Sequence, residues 1–256
     1  KVMDAGGLFA KDTVQITVQV VTPPPPINCN TANRPIANAN LTFSGQLSEP
    51  RYGITVATAG NKIFIAGGFT SFSGTDPANF SSRVDIYDIT TGRWTMTQLS
   101  EPRTVDAVAV LGSKIFFAGG WNANGLRSTV DIYDVSTNTW FITQLSQGRT
   151  GMIAGSIDNK VLFAGGVNIP DLYSIVDIYS TATNSWSVAS LSEARYSPSN
   201  FVYSSPNPPT VGQKMFFAGG QYCWIQDCGW NRIDIYDAAT NTWSYEDYNP
   251  HFPGTY

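Results

Sequence analysis

The sequence predicts an all-β protein built from repeated antiparallel sheets, and two observations carry that prediction. The 256 residues include 23 glycines and 15 prolines, while only 13% are charged, a composition that favours strands and turns over long helices. A pattern of short elements also occurs four times along the chain. An internal period of this kind is the mark of a repeat architecture, and the chain is long enough to bury a substantial core.

The first element of each repeat is an apolar strand that ends in a double glycine. The glycine pairs are Gly67-Gly68, Gly119-Gly120, Gly165-Gly166 and Gly219-Gly220. A second strand follows and closes on a tyrosine, which is Tyr87, Tyr133, Tyr179 or Tyr236. A tryptophan stands seven residues after each tyrosine, at Trp94, Trp140, Trp186 and Trp243. An arginine opens each unit, at Arg51, Arg103, Arg149 and Arg195.

Turn residues predict two tight hairpins in every unit. Between the first two strands lie Gly60-Asn61, Gly112-Ser113, Asp158-Asn159 and Gly212-Gln213, which tolerate positive φ. Two residues before each tryptophan stand Gly92, Asn138, Asn184 and Asn241, which enter the left-handed region at least cost. These hairpins share one side of the fold. The long connections at residues 69–82, 121–129, 167–175 and 221–232 then fall on the other side, together with the repeated arginines.

These elements resemble the kelch repeat, whose period is about 50 residues, and the resemblance covers residues 41–248. It implies an all-β fold, a kelch-type β-propeller of radially packed four-stranded antiparallel blades. The expected blades span residues 51–102, 103–148, 149–194 and 195–248, with a tail at 249–256. Residues 41–50 copy the end of a blade and are expected to form the outer strand of an incomplete one. Because kelch propellers usually have about five to seven blades, we expect the ring to be incomplete in this chain.

The segment before the repeats predicts a different domain. Asp12 to Val20 alternates polar and apolar residues as a strand does, and residues 1–22 resemble the last strands of a PKD-type or cadherin-like immunoglobulin sandwich. Pro23 to Pro26 open a stiff linker over residues 23–40. Two strands cannot form a sandwich, so they pair in cis or are donated to a neighbouring subunit. Such domains occur in large secreted bacterial surface proteins, which implies an extracellular or cell-surface location.

Charge and cysteine usage limit the partners. With 15 basic and 19 acidic residues, the chain lacks the positive field that nucleic acid or an anionic membrane surface requires. No apolar run reaches the roughly 18 to 20 residues of a membrane span, so no membrane insertion is expected. The chain opens at Lys1 without an apolar signal core, which suggests a mature or excised piece of a longer protein. Cys223 and Cys228 are a disulfide candidate, while the state of Cys29 stays open.

Aromatic residues outside the repeat positions are the candidate ligand-binding residues. They lie in the long connections and are Trp121, Tyr173, Tyr222, Trp224 and Trp230. Exposed aromatic faces bind sugar rings or protein side chains well, although the same rings could instead cover the ends of the blades. In the first long connection, Phe69, Phe72 and Phe80 are expected to serve packing.

The repeated arginines allow two interpretations. Arg51, Arg103, Arg149 and Arg195 could clamp an acidic ligand, because guanidinium groups fit carboxylates. Alternatively, each arginine holds the crossing between two blades through backbone carbonyls. The repeated aspartates are expected to act as caps and turn stabilisers; these are Asp85, Asp131, Asp177 and Asp234, and Asp88, Asp134 and Asp237.

No catalytic pattern emerges from the sequence. Kelch oxidases use a copper site with two histidines, whereas this chain has His251 alone, and Cys223, Cys228 and His251 are one ligand short of a zinc site. We therefore expect no enzymatic activity, no cofactor and no metal. The predicted function is an extracellular binding, adhesion or structural module that recognises a protein or glycan through its long connections. The alternatives are a self-assembling filament or surface-layer subunit that donates its N-terminal strand, and a fragment of a kelch oxidase or epimerase acting on carbohydrate.

Overall fold

The computed structural model describes residues 2–3, 9–10, 45–71, 76–196, 210–220 and 232–247. It divides into two compact units, Lys1–Phe43 and Ser44–Tyr256. In the first unit, β1 (Val2–Met3) pairs antiparallel with β2 (Phe9–Ala10). The predicted strand over residues 12–20 and the linker over residues 23–40 lie outside the described residues.

The described part of the second unit contains four antiparallel sheets of four strands, each in chain order. Sheet 1 comprises β3 (Thr55–Ala59), β4 (Lys62–Ala66), β5 (Arg83–Asp88) and β6 (Arg93–Gln98). Sheet 2 comprises β7 (Ala107–Leu111), β8 (Lys114–Ala118), β11 (Thr129–Asp134) and β12 (Thr139–Gln144), with the short pair β9 (Trp121–Asn122) and β10 (Gly125–Leu126) between β8 and β11.

Sheets 3 and 4 repeat this plan. Sheet 3 comprises β13 (Ile153–Ile157), β14 (Lys160–Ala164), β17 (Ile175–Ser180) and β18 (Ser185–Ser190), with the short pair β15 (Val167–Asn168) and β16 (Asp171–Leu172). Sheet 4 comprises β19 (Thr210–Val211), β20 (Lys214–Ala218), β21 (Arg232–Asp237) and β22 (Thr242–Asp247). In sheet 1 a 3₁₀ turn at Pro77–Asn79 takes the place of the short pair.

The predicted hairpin turns are confirmed. Each turn has one residue with positive φ. Examples are Gly60 at 59° and Asp158 at 51° in the first hairpins, and Gly92 at 67° and Asn138 at 56° in the second hairpins. Asp88 also acts as predicted. Its carboxylate accepts hydrogen bonds from the backbone N–H of Thr90 at 2.9 Å and of Thr91 at 3.0 Å. Asp134 and Asp237 accept the corresponding N–H groups in sheets 2 and 4.

Neighbouring sheets pack face to face and build the core between them. We call the face of a sheet toward the next sheet its leading face and the opposite one its trailing face. Between sheets 1 and 2, Phe64 and Val84 of the leading face meet Ile115, Phe117 and Tyr133 of the trailing face. Equivalent clusters join sheets 2 and 3 and sheets 3 and 4. The repeated tyrosines and tryptophans of sheets 2, 3 and 4 therefore lie between sheets.

The antiparallel strand order also confirms the predicted separation of turns and long connections. In each sheet the two hairpin turns lie at one end, and the long connection and the crossing to the next sheet lie at the other. We call this second end the loop face. A glycine pair borders it in every sheet. At Gly67, whose φ is 64°, a Cβ would lie 2.5 Å from the carbonyl oxygen of Arg103 in the next crossing; glycine lets these two backbones approach.

The expected outer strand at residues 41–50 is not formed over its described part, residues 45–50. Instead, this segment enters sheet 1 as the other crossings enter their sheets. The Ser48 N–H binds Asp85 Oδ1 at 3.1 Å, as Ser100 N–H binds Asp131 Oδ1 at 3.0 Å. The positions that match β6 are residues 41–46, of which only Gly45 and Gln46 are described.

Candidate functional site

An arginine–aspartate pair lies beneath the loop face in each sheet. The guanidinium of Arg103 meets Asp131 at 2.7 Å, and both side chains are essentially fully buried. Arg149 Nη1 lies 2.7 Å from Asp177 Oδ2, although that contact is not aligned as a hydrogen bond. Arg51 pairs with Asp85, and Arg195 pairs with Asp234. The pairs form because the register places each aspartate on the strand next to the one that the double glycine ends.

Other guanidinium donors of Arg103 and Arg149 bind backbone carbonyls. Arg103 donates to the carbonyls of Gly119 at 3.1 Å and Phe117 at 3.0 Å, and Arg149 makes the same bonds to Gly165 and Phe163. Arg51 and Arg195 also donate to backbone carbonyls of their own sheets, although the Nε of each has no hydrogen-bond partner. A guanidinium enclosed in this way has no surface for a ligand. The contacts favour the structural interpretation, in which each arginine holds its crossing. A ligand clamp does not fit such burial.

The aspartates of these pairs differ from what the sequence suggested. Asp85, Asp131, Asp177 and Asp234 were expected to stabilise turns, but each lies in mid-strand, buried, and joins the arginine to the crossing through a serine N–H. Burial acts to lower the pKa of Arg51, and the charge of Asp85 partly offsets this effect. The guanidinium stays charged at neutral pH because its ordinary pKa is so high.

Asp106 is a half-buried residue whose hydrogen-bonded carboxylate the sequence reasoning missed. It accepts hydrogen bonds from Thr150 Oγ1 at 2.5 Å, from the Gly151 N–H at 2.8 Å and from the Met152 N–H at 3.0 Å. Burial raises its pKa, although these three bonds act in the opposite direction. Because its partners belong to the crossing into sheet 3, Asp106 links sheets 2 and 3 and is structural.

Four aromatic residues meet on the loop face where sheets 1 and 2 adjoin. We call Tyr52, Phe69, Phe80 and Trp121 the aromatic patch. The ring centroids of Phe80 and Trp121 lie 5.0 Å apart, those of Tyr52 and Phe69 5.9 Å apart, and those of Phe69 and Trp121 6.0 Å apart. Tyr52 is 53% exposed and Phe80 is buried, while Phe69 and Trp121 are half-buried. The patch therefore has a buried base and an accessible apolar surface.

The backbone holds the patch in place. Tyr52 and Phe69 exchange both backbone hydrogen bonds, at 2.8 and 2.9 Å. The Thr104 N–H donates to the Trp121 carbonyl at 3.0 Å, and the Thr104 hydroxyl accepts the Trp121 N–H, also at 3.0 Å. Each ring thus stands on a segment tied to a crossing that a buried arginine fixes.

A polar rim borders the patch. Glu101 pairs with Arg127 at 2.8 Å, and Asn122 Nδ2 donates to the Pro102 carbonyl at 3.1 Å. Partial burial acts to raise the pKa of Glu101, but hydrogen bonds from Arg127 and Thr129 outweigh it and hold the pKa below its ordinary value. Glu101 is therefore charged at neutral pH. An apolar centre with a charged rim is the usual anatomy of a protein-binding surface.

The structure brings together only some of the predicted site residues. Trp121 lies in the patch, and Tyr52, which the sequence reasoning missed, lies beside it. Tyr173 is half-buried in the long connection of sheet 3, away from the junction of sheets 1 and 2 where the patch lies. The three remaining candidates lie outside the described residues, as do Phe72 and the cysteine pair; the candidates are Tyr222, Trp224 and Trp230.

A groove of about 390 Å³ is lined by residues from the first strands of the four sheets. Val56, Val108, Ser156 and Thr210 are among its described lining residues, and none of those residues is charged. No group of three or more metal-ligating side chains occurs in the part of the chain that the structure describes. Within the same ranges, no helix is long and apolar enough to cross a membrane.

Sequence comparison identifies the repeat. The kelch motif matches residues 50–97 and 107–142. These ranges contain nearly all of sheet 1 and most of sheet 2, and together with the four-stranded antiparallel sheets they show a fold consistent with a kelch-type β-propeller. No curated protein matches the chain. Kelch repeats commonly mediate protein binding.

Proposed function

We propose that this protein is a non-catalytic protein-binding module that recognises its ligand through the aromatic patch on the loop face. The observation that carries the proposal is a half-exposed group of touching aromatic rings on a rigid base. Tyrosine and tryptophan dominate binding energy at protein interfaces because they bury much apolar area at little entropic cost. A fixed scaffold with variable connections is also the usual carrier of recognition.

The geometry favours a protein ligand over a glycan. The rings of Phe80 and Trp121 are inclined by 81°, and those of Phe69 and Trp121 by 45°. Rings inclined in this way offer edges and a cleft for apolar side chains and do not provide one flat platform for a sugar ring. The Glu101–Arg127 rim suits the polar groups that surround such a side chain in a protein.

The proposal includes an extracellular or cell-surface role in adhesion. One support is the pair Cys223 and Cys228, which lie five residues apart, since disulfides persist in oxidising compartments. The other support is the resemblance of residues 1–22 to domains of secreted proteins. Mass spectrometry of the protein from its native source tests this part. A disulfide-linked peptide that contains both cysteines is expected, and two free thiols would contradict it.

Affinity measurements with single variants test the patch. Peptides selected from a random display library against the whole protein serve as the probe. Tyr52→Ala and Trp121→Ala should each weaken peptide binding by about tenfold or more, as expected for central aromatic anchors. The melting temperature of the Tyr52→Ala protein should stay within about 3 °C of the original, because exposed side chains contribute little to stability.

Phe141→Ala is the matched control. Phe141 is 54% exposed, almost the same as Tyr52, but it lies on the outer strand of sheet 2. Its removal should leave binding unchanged. Peptides that bind equally well to the Trp121→Ala and Tyr52→Ala proteins would reject the patch, and a ligand found only on a glycan array would reject the protein class.

A further inference from the structure

The outermost strand of each sheet carries an exposed apolar residue two places after the repeated tryptophan. These residues are Met96, Ile142, Val188 and Tyr245, and they are 56%, 64%, 59% and 55% exposed. In the part of the chain that the structure describes, no further strand pairs with these four outer strands. An apolar edge strand of this kind can pair with a strand of another chain unless charges block it.

Arginines block the edges of sheets 1 and 4. Arg83 Nη1 lies 3.0 Å from Met96 Sδ, and the guanidinium of Arg232 lies 4.5 Å from the centre of the Tyr245 ring. The outer strands of both sheets also contain charged residues, an arginine in β6 and two acidic residues in β22. Another strand could approach these edges only by taking such charges out of water, which is costly.

Sheets 2 and 3 have no such arginine. The residues in the places of the two arginines are Thr129 and Ile175, and the outer strands β12 and β18 contain no charged residue. In β12, Phe141 is 54% exposed beside Ile142, whereas in β18 Val188 is the one large apolar residue that is exposed. Among the described outer strands, β12 is therefore the most apolar uncharged edge.

Lys114 brings no net charge to this edge. Its Nζ lies 5.8 Å from the centre of the Phe141 ring, but the same Nζ pairs with Asp134 at 2.6 Å. The two charges offset each other, so the pair does not oppose a second strand as the arginines of sheets 1 and 4 do.

The hydrogen-bond pattern shows which backbone groups of β12 point away from the sheet. At the end of this strand the Leu145 N–H donates to the Ser128 carbonyl at 2.8 Å, toward the neighbouring β11. In an antiparallel ladder every second residue turns its N–H and C=O to the same neighbour, so the odd-numbered residues of β12 bond to β11. The backbone groups that point away belong to Trp140, Ile142 and Gln144.

The edge of β12 is complementary to itself. Two antiparallel copies of this strand can bond only if an even-numbered residue stands opposite an even-numbered one. A two-fold axis at Phe141 meets this condition. It sets Phe141 opposite the Phe141 of the second copy, Trp140 opposite Ile142, and Thr139 opposite Thr143. Aromatic pairs, pairs of an aromatic with a β-branched residue, and threonine pairs are cross-strand combinations that stabilise sheets.

We propose that β12 is a self-association edge, which pairs antiparallel with β12 of a second copy about a two-fold axis at Phe141. The pairing joins the two copies of sheet 2 into one continuous sheet. Because the same strand serves in both copies, the contact closes on itself and yields a dimer. The edge is short, so the contact is small, as in transient complexes.

Antiparallel pairing has a consequence for the loop faces. The loop face of one copy lies beside the hairpin turns of the other, so the two aromatic patches face opposite ways. One dimer then links protein ligands on its two sides; this consequence rests on the proposed function, whereas the pairing of β12 does not. Each copy keeps its whole patch, so the affinity for a single free peptide is the same in the monomer and the dimer.

Sedimentation equilibrium of the whole protein tests the pairing. The mass should rise from one copy toward two between about 10 μM and 1 mM, a range that suits a small interface. Phe141→Lys sets two ammonium groups opposite each other at the axis. It should raise the dissociation constant of the dimer by about tenfold or more, because like charges placed opposite each other destabilise a sheet and lose water there.

Met96→Lys and Val188→Lys are the matched controls. Both residues are about as exposed as Phe141, but they lie on the outer strands of sheets 1 and 3. Each control should leave the dissociation constant within about twofold, since distant sites act independently. A protein that stays monomeric at about 1 mM, or a Phe141→Lys dimer as stable as the original, would overturn the proposal. So would assemblies larger than dimers that Val188→Lys abolishes, because β12 would then pair with β18.

Disulfide formation tests the register. At the axis the two Cα atoms lie about 4.5 Å apart, within reach of a disulfide, so the Phe141→Cys protein should link to its own copy through residue 141, as located by peptide mapping. Ile142→Cys should not link, because its copy lies diagonally about 7–8 Å away. Linkage through Ile142→Cys alone would place the axis at Ile142, and a dimer that links in neither protein would place the contact elsewhere. Either result contradicts the proposed pairing.

Discussion

Sheets 1 and 2 have nearly the same sequence elements but differ in how deeply they are buried. Ile63 of sheet 1 and Ile115 of sheet 2 are the same residue at the same place, yet Ile115 is fully buried and Ile63 is not. The arginine–aspartate pairs, in contrast, are buried in both sheets. Apolar burial in this fold therefore comes from neighbouring sheets, whereas each pair is enclosed by its own sheet and crossing.

The arginine–aspartate pairs are buried in both sheets, and variants of these pairs should have the largest effect on stability. Arg103→Met and Arg51→Met should each cost about 3–5 kcal/mol of unfolding free energy, because each leaves a buried aspartate without its charge partner. The losses should be similar, since both pairs are enclosed locally. Urea unfolding measures them.

Arg127→Met is the control for that series. Its partner Glu101 is near the surface, and about a third of the Arg127 side chain is exposed, so the loss should stay within about 1 kcal/mol. A cost at Arg51 well below that at Arg103 would show that the neighbouring sheet, and not the crossing, encloses the pair.

A second pair of variants tests the difference in apolar burial between sheets 1 and 2. Ile115→Ala should cost about 2–5 kcal/mol, because it opens a cavity in a closed interface. Ile63→Ala should cost less than about half as much, since part of its side chain is already in contact with solvent. Thermal unfolding of the two proteins measures the difference, and equal losses would contradict the view that neighbours determine burial.

The smallest expected effect is a pH dependence of stability that arises in sheet 2 and has no counterpart in sheet 1. Asp106 stands at the entrance to sheet 2, where sheet 1 has Ile54. Burial raises the pKa of Asp106 in the folded protein, so the folded state holds the proton to higher pH than the unfolded state. Stability should therefore fall as pH rises from the ordinary carboxyl value of 3.8 through the raised one.

Asp106→Asn removes this titration and provides the measurement. The melting temperature of the original protein, taken relative to that of the Asn variant, should decline across this range of pH. A relative melting temperature that rises with pH would mean that the hydrogen bonds from Thr150, Gly151 and Met152 outweigh burial.

The hairpins and the double glycines were predictable because their signals are local. Asn138 and Gly92 stand where the backbone needs positive φ, and a few neighbouring residues suffice to recognise such a turn. The repeat then multiplies each weak signal fourfold, which is why the sheets could be assigned from the sequence.

The ion pairs and the aromatic patch depend on distant contacts. Arg103 and Asp131 are 28 residues apart, and only the strand register brings them together, so each residue had a plausible local role on its own. Tyr52 and Trp121 come from different sheets and meet at a junction that no single repeat contains. Trp121 stood out because it departs from the repeat, whereas Tyr52 lies next to a repeated arginine and gave no such signal.

Hydrogen–deuterium exchange with a selected peptide bound to the whole protein tests the central claim most directly. Protein recognition at the aromatic patch predicts slower exchange at residues 52–54, 69–71 and 120–126, with the hairpin turns at residues 60–61 and 112–113 unchanged. Slower exchange confined to those turns, or to the outer strands of sheets 1 and 2, would contradict it.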